Sequence, residues 1–305
     1  MPFTKRRTKA TCCVAVLSVM ASLLVGCGGA RSATQPVDAL PSRPQRTTSS
    51  APTSKSGTLA SPFAALGPYL AGRSGQVTAA VYDGQNNRTW SLHPGQLQDT
   101  ASIVKVEIMG TALQQAQAKD QQLSESAAAL MPSMIENSDN QSATTLFNDV
   151  GGASALADFD RSAGMTDTTP SNLVFIPGTS LPGWGLTITT ALDQVTLVSK
   201  FAYPNTILSD ASREYGLSLM ENVEADQNWG ISGGVPAGVT VALKNGWLPL
   251  GPTNWQVNSI GWILGDGRNY VLAILTTGSP TEAYGIATIE AIASTTFADL
   301  GEVPP

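Results

Sequence analysis

The order of elements in this 305-residue chain predicts an α+β fold: one five-stranded antiparallel sheet, terminal helices covering a face of it, and an all-helical lobe alongside. Three observations predict it. Gln76–Tyr82 and Arg88–Leu92 are β-rich runs joined by the turn-forming Asp83-Gly84-Gln85-Asn86-Asn87, which reads as a hairpin. Three more β-rich runs, Val239–Asn245, Gln256–Leu264 and Tyr270–Thr276, come late in the chain. Between the two groups lie six runs with helical periodicity. One sheet assembled from both ends of the folded region buries all five strands, and the cleft between its edge and the lobe is where a site is expected.

In chain order, residues 1–26 read as an export signal. Lys5, Arg6, Arg7 and Lys9 form a basic start, and Cys12–Val25 is an apolar run too short to span a bilayer comfortably. Leu24-Val25-Gly26-Cys27 resembles the bacterial lipobox, in which cleavage before the cysteine leaves it lipidated, so Cys27 is the expected membrane anchor. Residues 27–58, rich in Ser, Thr, Pro and Gly, read as a disordered tether. Residues 59–305 form the expected domain, a monomer on the outer face of the cytoplasmic membrane or in the cell envelope. The three cysteines, Cys12, Cys13 and Cys27, all precede it, so this exported domain relies on its core rather than on disulfides.

Within the domain a helix is expected over Ser61–Gly72, followed by the hairpin. Helices are then expected over Ser102–Ala118, Ser124–Ile135, Ala143–Val150, Ala153–Ala163, Thr189–Ala202 and Asp210–Val223. After the three late strands, Thr281–Ala298 closes the chain as a helix. Trp184, Trp229, Trp247, Trp255 and Trp262 read as core and cleft-wall aromatics rather than a carbohydrate platform. Glu107, on the far side of its helix from Lys105, reads as a solvated or capped surface charge.

Composition excludes several functions. Without the leader, 13 basic residues face 23 acidic ones, a net charge of −10, which argues against nucleic acid as a partner. One histidine and no cysteine in the domain argue against a His- or Cys-based metal site and against a Ser-His-Asp triad; no cofactor is expected. His93 lies in a Leu-His-Pro-Gly turn.

The chemistry is carried by three short stretches. Ser102-Ile103-Val104-Lys105 opens a nearly all-apolar helix, and residues three apart share a helix face, so the hydroxyl and the amine can meet. A lysine accepts a serine proton only if its pKa falls from about 10.4 toward 7, at a cost of about 4 kcal/mol, within reach of burial and a second cation. Ser138-Asp139-Asn140 lies in the turn between two expected helices, and Lys244-Asn245-Gly246-Trp247 at a strand end before a turn. Each alone is unspecific: a polar helix start, a capping turn, a strand followed by a turn.

In this order the three resemble the penicillin-recognising serine hydrolases, class A β-lactamases and their penicillin-binding relatives, whose trio is S-x-x-K, S-D-N and K-T-G. "MIENSDNQSATTLFNDVGG", "WGISGGVPAGVTVALKNGW" and "YVLAILTTG" are similar to the family's text around those motifs, and the resemblance runs from about residue 59 to residue 300. It implies a β-lactamase/transpeptidase-like fold and a set of roles. Ser102 would be the acylated nucleophile, Lys105 its proton acceptor and Ser138 the proton donor to the leaving nitrogen. Asn140 would orient substrate and Lys105, Lys244 would hold a substrate carboxylate, and Asn245 would donate to it. The N–H groups of Ser102 and Trp247 would form the oxyanion hole.

Three departures qualify the resemblance. Asn245 stands where the family has a hydroxyl. The interval from Ser102 to Ser138 is short, implying a trimmed lobe. No glutamate occurs between Glu136 and Glu214, where class A enzymes carry the one that activates the deacylating water on their Ω-loop. In "MTDTTPSNLVFIPG", Thr168 falls at that place if Asn172 is the loop's asparagine, with Asp167 one position off. A missing general base costs ~10²–10⁴-fold in rate, so efficient β-lactam turnover is not expected. The expected function is therefore an envelope-anchored serine hydrolase or acyltransferase acting on a peptidoglycan-type or other small amide or ester. The alternatives are a catalytically silent binding module of the same fold and a genuine class A β-lactamase.

Overall fold

The computed structural model describes residues 60–301. The expected leader, the tether and Cys27 lie outside them. The chain enters through a 3-10 turn, Ala64–Leu66, and a short helix α1, Gly67–Ala71. The one helix expected over Ser61–Gly72 is thus two short pieces. Pro68 is the reason, because a residue with fixed φ and no N–H starts a helix well but interrupts one arriving from upstream.

β1 (Gln76–Asp83) and β2 (Arg88–Leu92) form the hairpin, whose turn is held by Asp83 Oδ1 accepting from the N–H groups of Gln85 and Asn86. A two-residue strand, β3 (Gln98–Asp99), leads through the 3-10 turn Ala101–Ile103 into α2 (Val104–Ala118). The lobe continues with α3 (Glu125–Glu136), α4 (Asn140–Val150) and α5 (Gly152–Ala163). A long loop returns through the turn Gly183–Leu186 to β4 (Ile188–Thr189), which pairs with β3 and which periodicity alone does not reveal. Then come α6 (Ala191–Ala202), α7 (Asp210–Glu221), β5 (Thr240–Gly251), β6 (Asn254–Gly265), β7 (Arg268–Ser279) and α8 (Glu282–Gly301).

The sheet order is β2-β1-β7-β6-β5 with every neighbour antiparallel, so both ends of the domain build it, as expected. Side-chain alternation sorts its faces. Ala80, Ala242, Ile260, Ala273 and Leu275 pack into the lobe core, while Ala79, Val81, Leu243, Leu272 and Ile274 pack against Ile289, Ile292 and Phe297 of α8. Burying a Val, Leu or Ile side chain contributes roughly 1.5–3 kcal/mol.

Side-chain caps set the helix starts. Ser124, Asp139, Thr190 and Ser209 each accept from a backbone N–H in the first turn of α3, α4, α6 and α7. Asp139 starts α4 at Asn140, ahead of the apolar periodicity that begins at Ala143.

Two expectations are corrected. Glu107 is not a surface charge; it is fully buried. α2 runs through the middle of the lobe with α3 to α7 around it, and every residue from Val104 to Leu113 is buried, so this stretch of the helix has no solvent face. Lys244-Asn245-Gly246-Trp247 is not the end of a strand either, since β5 continues to Gly251 before turning into β6. Pro249 does not end the strand, because it sits at a register shift on the outermost strand, where a missing N–H costs little.

Candidate active site

Three elements converge where β5 passes the start of α2. The crossing is backbone on backbone: a Cβ added at Gly246 would stand 2.7 Å from Ser102 N and 2.9 Å from Thr100 O. Only glycine permits that approach.

Ser102 lies in the 3-10 turn just ahead of α2, preceded by Ala101 at φ +48°. That left-handed, unfavourable conformation is held from several sides. Thr100 N–H donates to Thr187 O, Gln256 Nε2 to Asp99 O, and Asn258 Nδ2 to both Asp99 O and Thr100 O. Gln256 and Asn258 come from the first half of β6 and are buried. Sequence reasoning missed them; the signal was two amides inside an otherwise apolar strand, since buried amides need partners.

Lys105 and Lys244 are both fully buried. Lys105 Nζ lies 3.0 Å from Ser102 Oγ, 3.0 Å from Ser138 Oγ, 2.6 Å from Ser138 O and 2.9 Å from Asn140 Oδ1. Lys244 Nζ lies 3.0 Å from Ser138 Oγ and 2.9 Å from its neighbour's carbonyl, Asn245 O. Ser138 serves both amines because its own φ is +56°, which turns carbonyl and hydroxyl together toward Lys105.

Burial holds the Lys105 pKa well below that of an ordinary lysine, the charge of Lys244 pushes the same way, and Asp139 partly opposes them. Burial takes Lys244 down to about 7. The amines share one hydroxyl, that of Ser138. When Lys105 is neutral, its two N–H groups suit the carbonyl oxygens of Ser138 and Asn140, which can only accept. The lone pair is then left for the Ser102 hydroxyl, and a serine aimed at a free amine is an activated nucleophile.

The structure thus brings together Ser102, Lys105, Ser138, Asn140 and Lys244. Asn245 behaves differently. Its amide nitrogen donates to Gln227 O at 2.7 Å and Trp229 O at 3.0 Å, so its donors fix the 225–230 segment rather than face the amines. Trp247, half-buried, meets Trp229 at a ring separation of 6.0 Å. Trp184, beyond the reach of sequence motifs, is a further neighbour: its ring centroid is 5.0 Å from Lys105 Nζ, and its Nε1 donates to Thr144 Oγ1 at 3.0 Å.

The loop from 166 to 188 presents no acid to the amines. Thr168 Oγ1 donates to Asp193 Oδ2, which also accepts from Asp167 N–H; the Asp167 side chain is exposed. His93 follows β2, at the sheet edge opposite β5, with Nδ1 donating to Val77 O. Among the described residues no group of three or more His, Cys, Asp or Glu side chains is arranged to hold a metal.

Residues 126–300 match the family model described as "Beta-lactamase enzyme family". The chain belongs to that family. Solved β-lactamases share its fold. The TLA-1 extended-spectrum β-lactamase superposes with a TM-score of 0.71 at 20% identity, over 79% of this chain and 98% of that one. An ancestral class A β-lactamase gives 0.65 at 21% identity, over 76% and 99%. A class A β-lactamase representative from Bacteroides cellulosilyticus gives 0.66 at 19%, over 77% and 95%. A comparison with curated proteins returns no match. The sheet of five antiparallel strands, the terminal helices and the lobe are therefore those of a class A β-lactamase, and this domain is a β-lactamase-fold member of the serine hydrolase family.

Proposed function

We propose that this domain is an envelope-anchored serine hydrolase or acyltransferase that forms an acyl-enzyme at Ser102 on a peptidoglycan-type or other small amide or ester, and that it turns β-lactams over poorly. The observation that carries this reading is the pair of buried amines around two hydroxyls, with Lys105 Nζ 3.0 Å from Ser102 Oγ and from Ser138 Oγ, and Lys244 Nζ 3.0 Å from Ser138 Oγ. Ser102 Oγ adds to the substrate carbonyl as its proton passes to Lys105 Nζ. The developing oxyanion is met by the N–H groups of Ser102 and Trp247. Ser138 hands a proton to the leaving nitrogen or oxygen, the carbonyl is restored and the acyl group stays on Ser102. Lys244 attracts a substrate carboxylate and keeps Lys105 basic but uncharged. With the amide of Asn245 committed elsewhere, that carboxylate leans on Lys244.

Poor turnover is supported by the loop, whose Asp167 side chain is exposed, while the carboxylate of Asp193 in α6 is spent on accepting from Asp167 N–H and Thr168 Oγ1. The test is labelling of the purified protein with a fluorescent penicillin: the wild type labels and Ser102→Ala does not. A wild type that stays unlabelled by penicillins and by D-Ala-D-Ala esters overturns acylation. It would favour the second reading, a silent binding module, which the turned-away Asn245 side chain also suits. Anchoring through Cys27 is tested by Cys27→Ser, which moves the protein from the membrane to the soluble fraction.

A further inference from the structure

We propose that Trp184 is a positioning residue that seals Lys105 from water and so makes the acyl group on Ser102 slow to leave. The inference rests on the acyl-enzyme reading above and concerns the step after it. Release by water requires a water oxygen to bond to the acyl carbon while a base takes its proton. The bond to Ser102 Oγ then breaks, and that proton returns to Oγ.

Of the bases in the site, Lys105 is the one that touches Ser102. Four oxygens already surround its nitrogen, and the indole of Trp184 stands against it at 5.0 Å. A water interposed between nitrogen and ring would need roughly 6 Å. The indole is 4% exposed and cannot recruit a water with its own N–H, which is spent on Thr144 Oγ1 of α4. It is held from behind by its turn, since Gly185 packs on Ala101 and Thr187 O accepts from Thr100 N–H.

Nothing acidic replaces the excluded water. Asp139 spends Oδ1 on the Ser142 N–H, and no ion pair of the described residues includes Lys105. An indole in this position keeps an amine dehydrated, which suits removal of the Ser102 proton, and leaves the later water without a place to stand. A core tryptophan needs neither property.

Trp184→Leu opens a space bordered by the amine and by Thr144 Oγ1, polar enough to hold water. Trp184→Phe keeps the ring and loses the N–H. Both are exposed to a penicillin, freed of excess reagent and followed by intact-mass spectrometry. The expected result is adduct decay at least tenfold faster in Trp184→Leu, adduct formation changed less than threefold, and decay in Trp184→Phe close to wild type. Equal decay in wild type and Trp184→Leu overturns the proposal, as does a Trp184→Phe protein that decays as fast as Trp184→Leu.

A second readout does not depend on acylation. The Lys105 amine, titrated by NMR in lysine-labelled protein, should take its proton about one pH unit higher in Trp184→Leu and unchanged in Trp184→Phe. An unmoved Lys105 in Trp184→Leu overturns the seal. A wild type that forms no adduct defeats the acyl-enzyme reading alone, and the titration then decides the seal.

Discussion

Two pairs of like-charged groups are buried beside α2, and they are handled in opposite ways. Lys105 and Lys244 are ringed by oxygens: two hydroxyls, two backbone carbonyls and an amide. Glu107, two residues along the same helix, faces Asp160 of α5, and neither carboxyl has another donor among the described residues. Such carboxyls meet only if one keeps a proton and donates it to the other. Burial first, then the charge of Asp160 and, less, that of Asp193, accordingly raise Glu107 well above an ordinary carboxyl, while burial and the charge of Asp193 raise Asp160 to about 7, with the hydrogen bond to Glu107 partly opposing. The amine pair borders partly exposed Ser102 and Ser138, whereas the carboxyl pair is closed on every side. A perturbed ionisation points to chemistry only where a reactant can reach it. The carboxyl pair belongs to the stability of the lobe.

The largest effect expected from this contrast is at Lys105. Lys105→Met should slow adduct formation ~10²–10⁴-fold while leaving the melting temperature near that of wild type or above it, because it removes a buried amine. An active Lys105→Met would give the amine pair no more chemical role than the carboxyl pair.

Next is the pH dependence of acylation. The Lys105 amine must be free, so the rate should rise with pH through an acid limb that lies well below the ordinary lysine range. Removing the neighbouring cation in Lys244→Met lets Lys105 hold its proton more tightly, and the limb should move up by about one pH unit. Stopped-flow acylation between pH 5 and 9 measures it.

The carboxyl pair should appear in stability instead. Its folded-state values lie above those of the unfolded chain, so the folded protein holds more protons. That stability is full below pH ~4 and declines as pH rises through about 7 for Asp160 and through the raised range of Glu107. The slope should approach ~1.4 kcal/mol per pH unit for each extra proton held. Glu107→Gln, whose amide donates to Asp160 without a borrowed proton, should flatten it in urea titrations from pH 5 to 9. A slope as steep as wild type would remove the pair from the account. The smallest effect is expected from Asp139→Asn, which keeps a cap on α4 but removes the charge that opposes the loss of the Lys105 proton. Its acid limb should move down by less than one pH unit.

The sheet was legible because period-two alternation is local, and β5, β6 and β7 are set off by turn residues. The lobe was legible for the same reason at the helical period. Of the site, the three motifs announced Ser102, Lys105, Ser138, Asn140 and Lys244, which the fold brings within hydrogen-bond reach. What stayed hidden depends on partners distant in sequence. Gln256 and Asn258 matter because β6 runs under residues 99–100, and Trp184 because a loop folds back onto α2. Glu107 was misread because helix position says which way a side chain points, not what else is packed there. The direction of Asn245 was available in principle: neighbours along a strand point to opposite faces, so it could not share the outlook of Lys244.

The crossing at Gly246 carries a consequence for anyone redesigning this protein. Main chain rests on main chain there, so the gap has no side chain to trim, and any substitution adds bulk against Ser102 and Thr100. Variation in what the crevice admits must therefore come from its margins, where half-buried Trp247, next to Gly246, meets Trp229. Directed libraries built on those margins should retain folded protein, whereas libraries that include position 246 should be depleted of it.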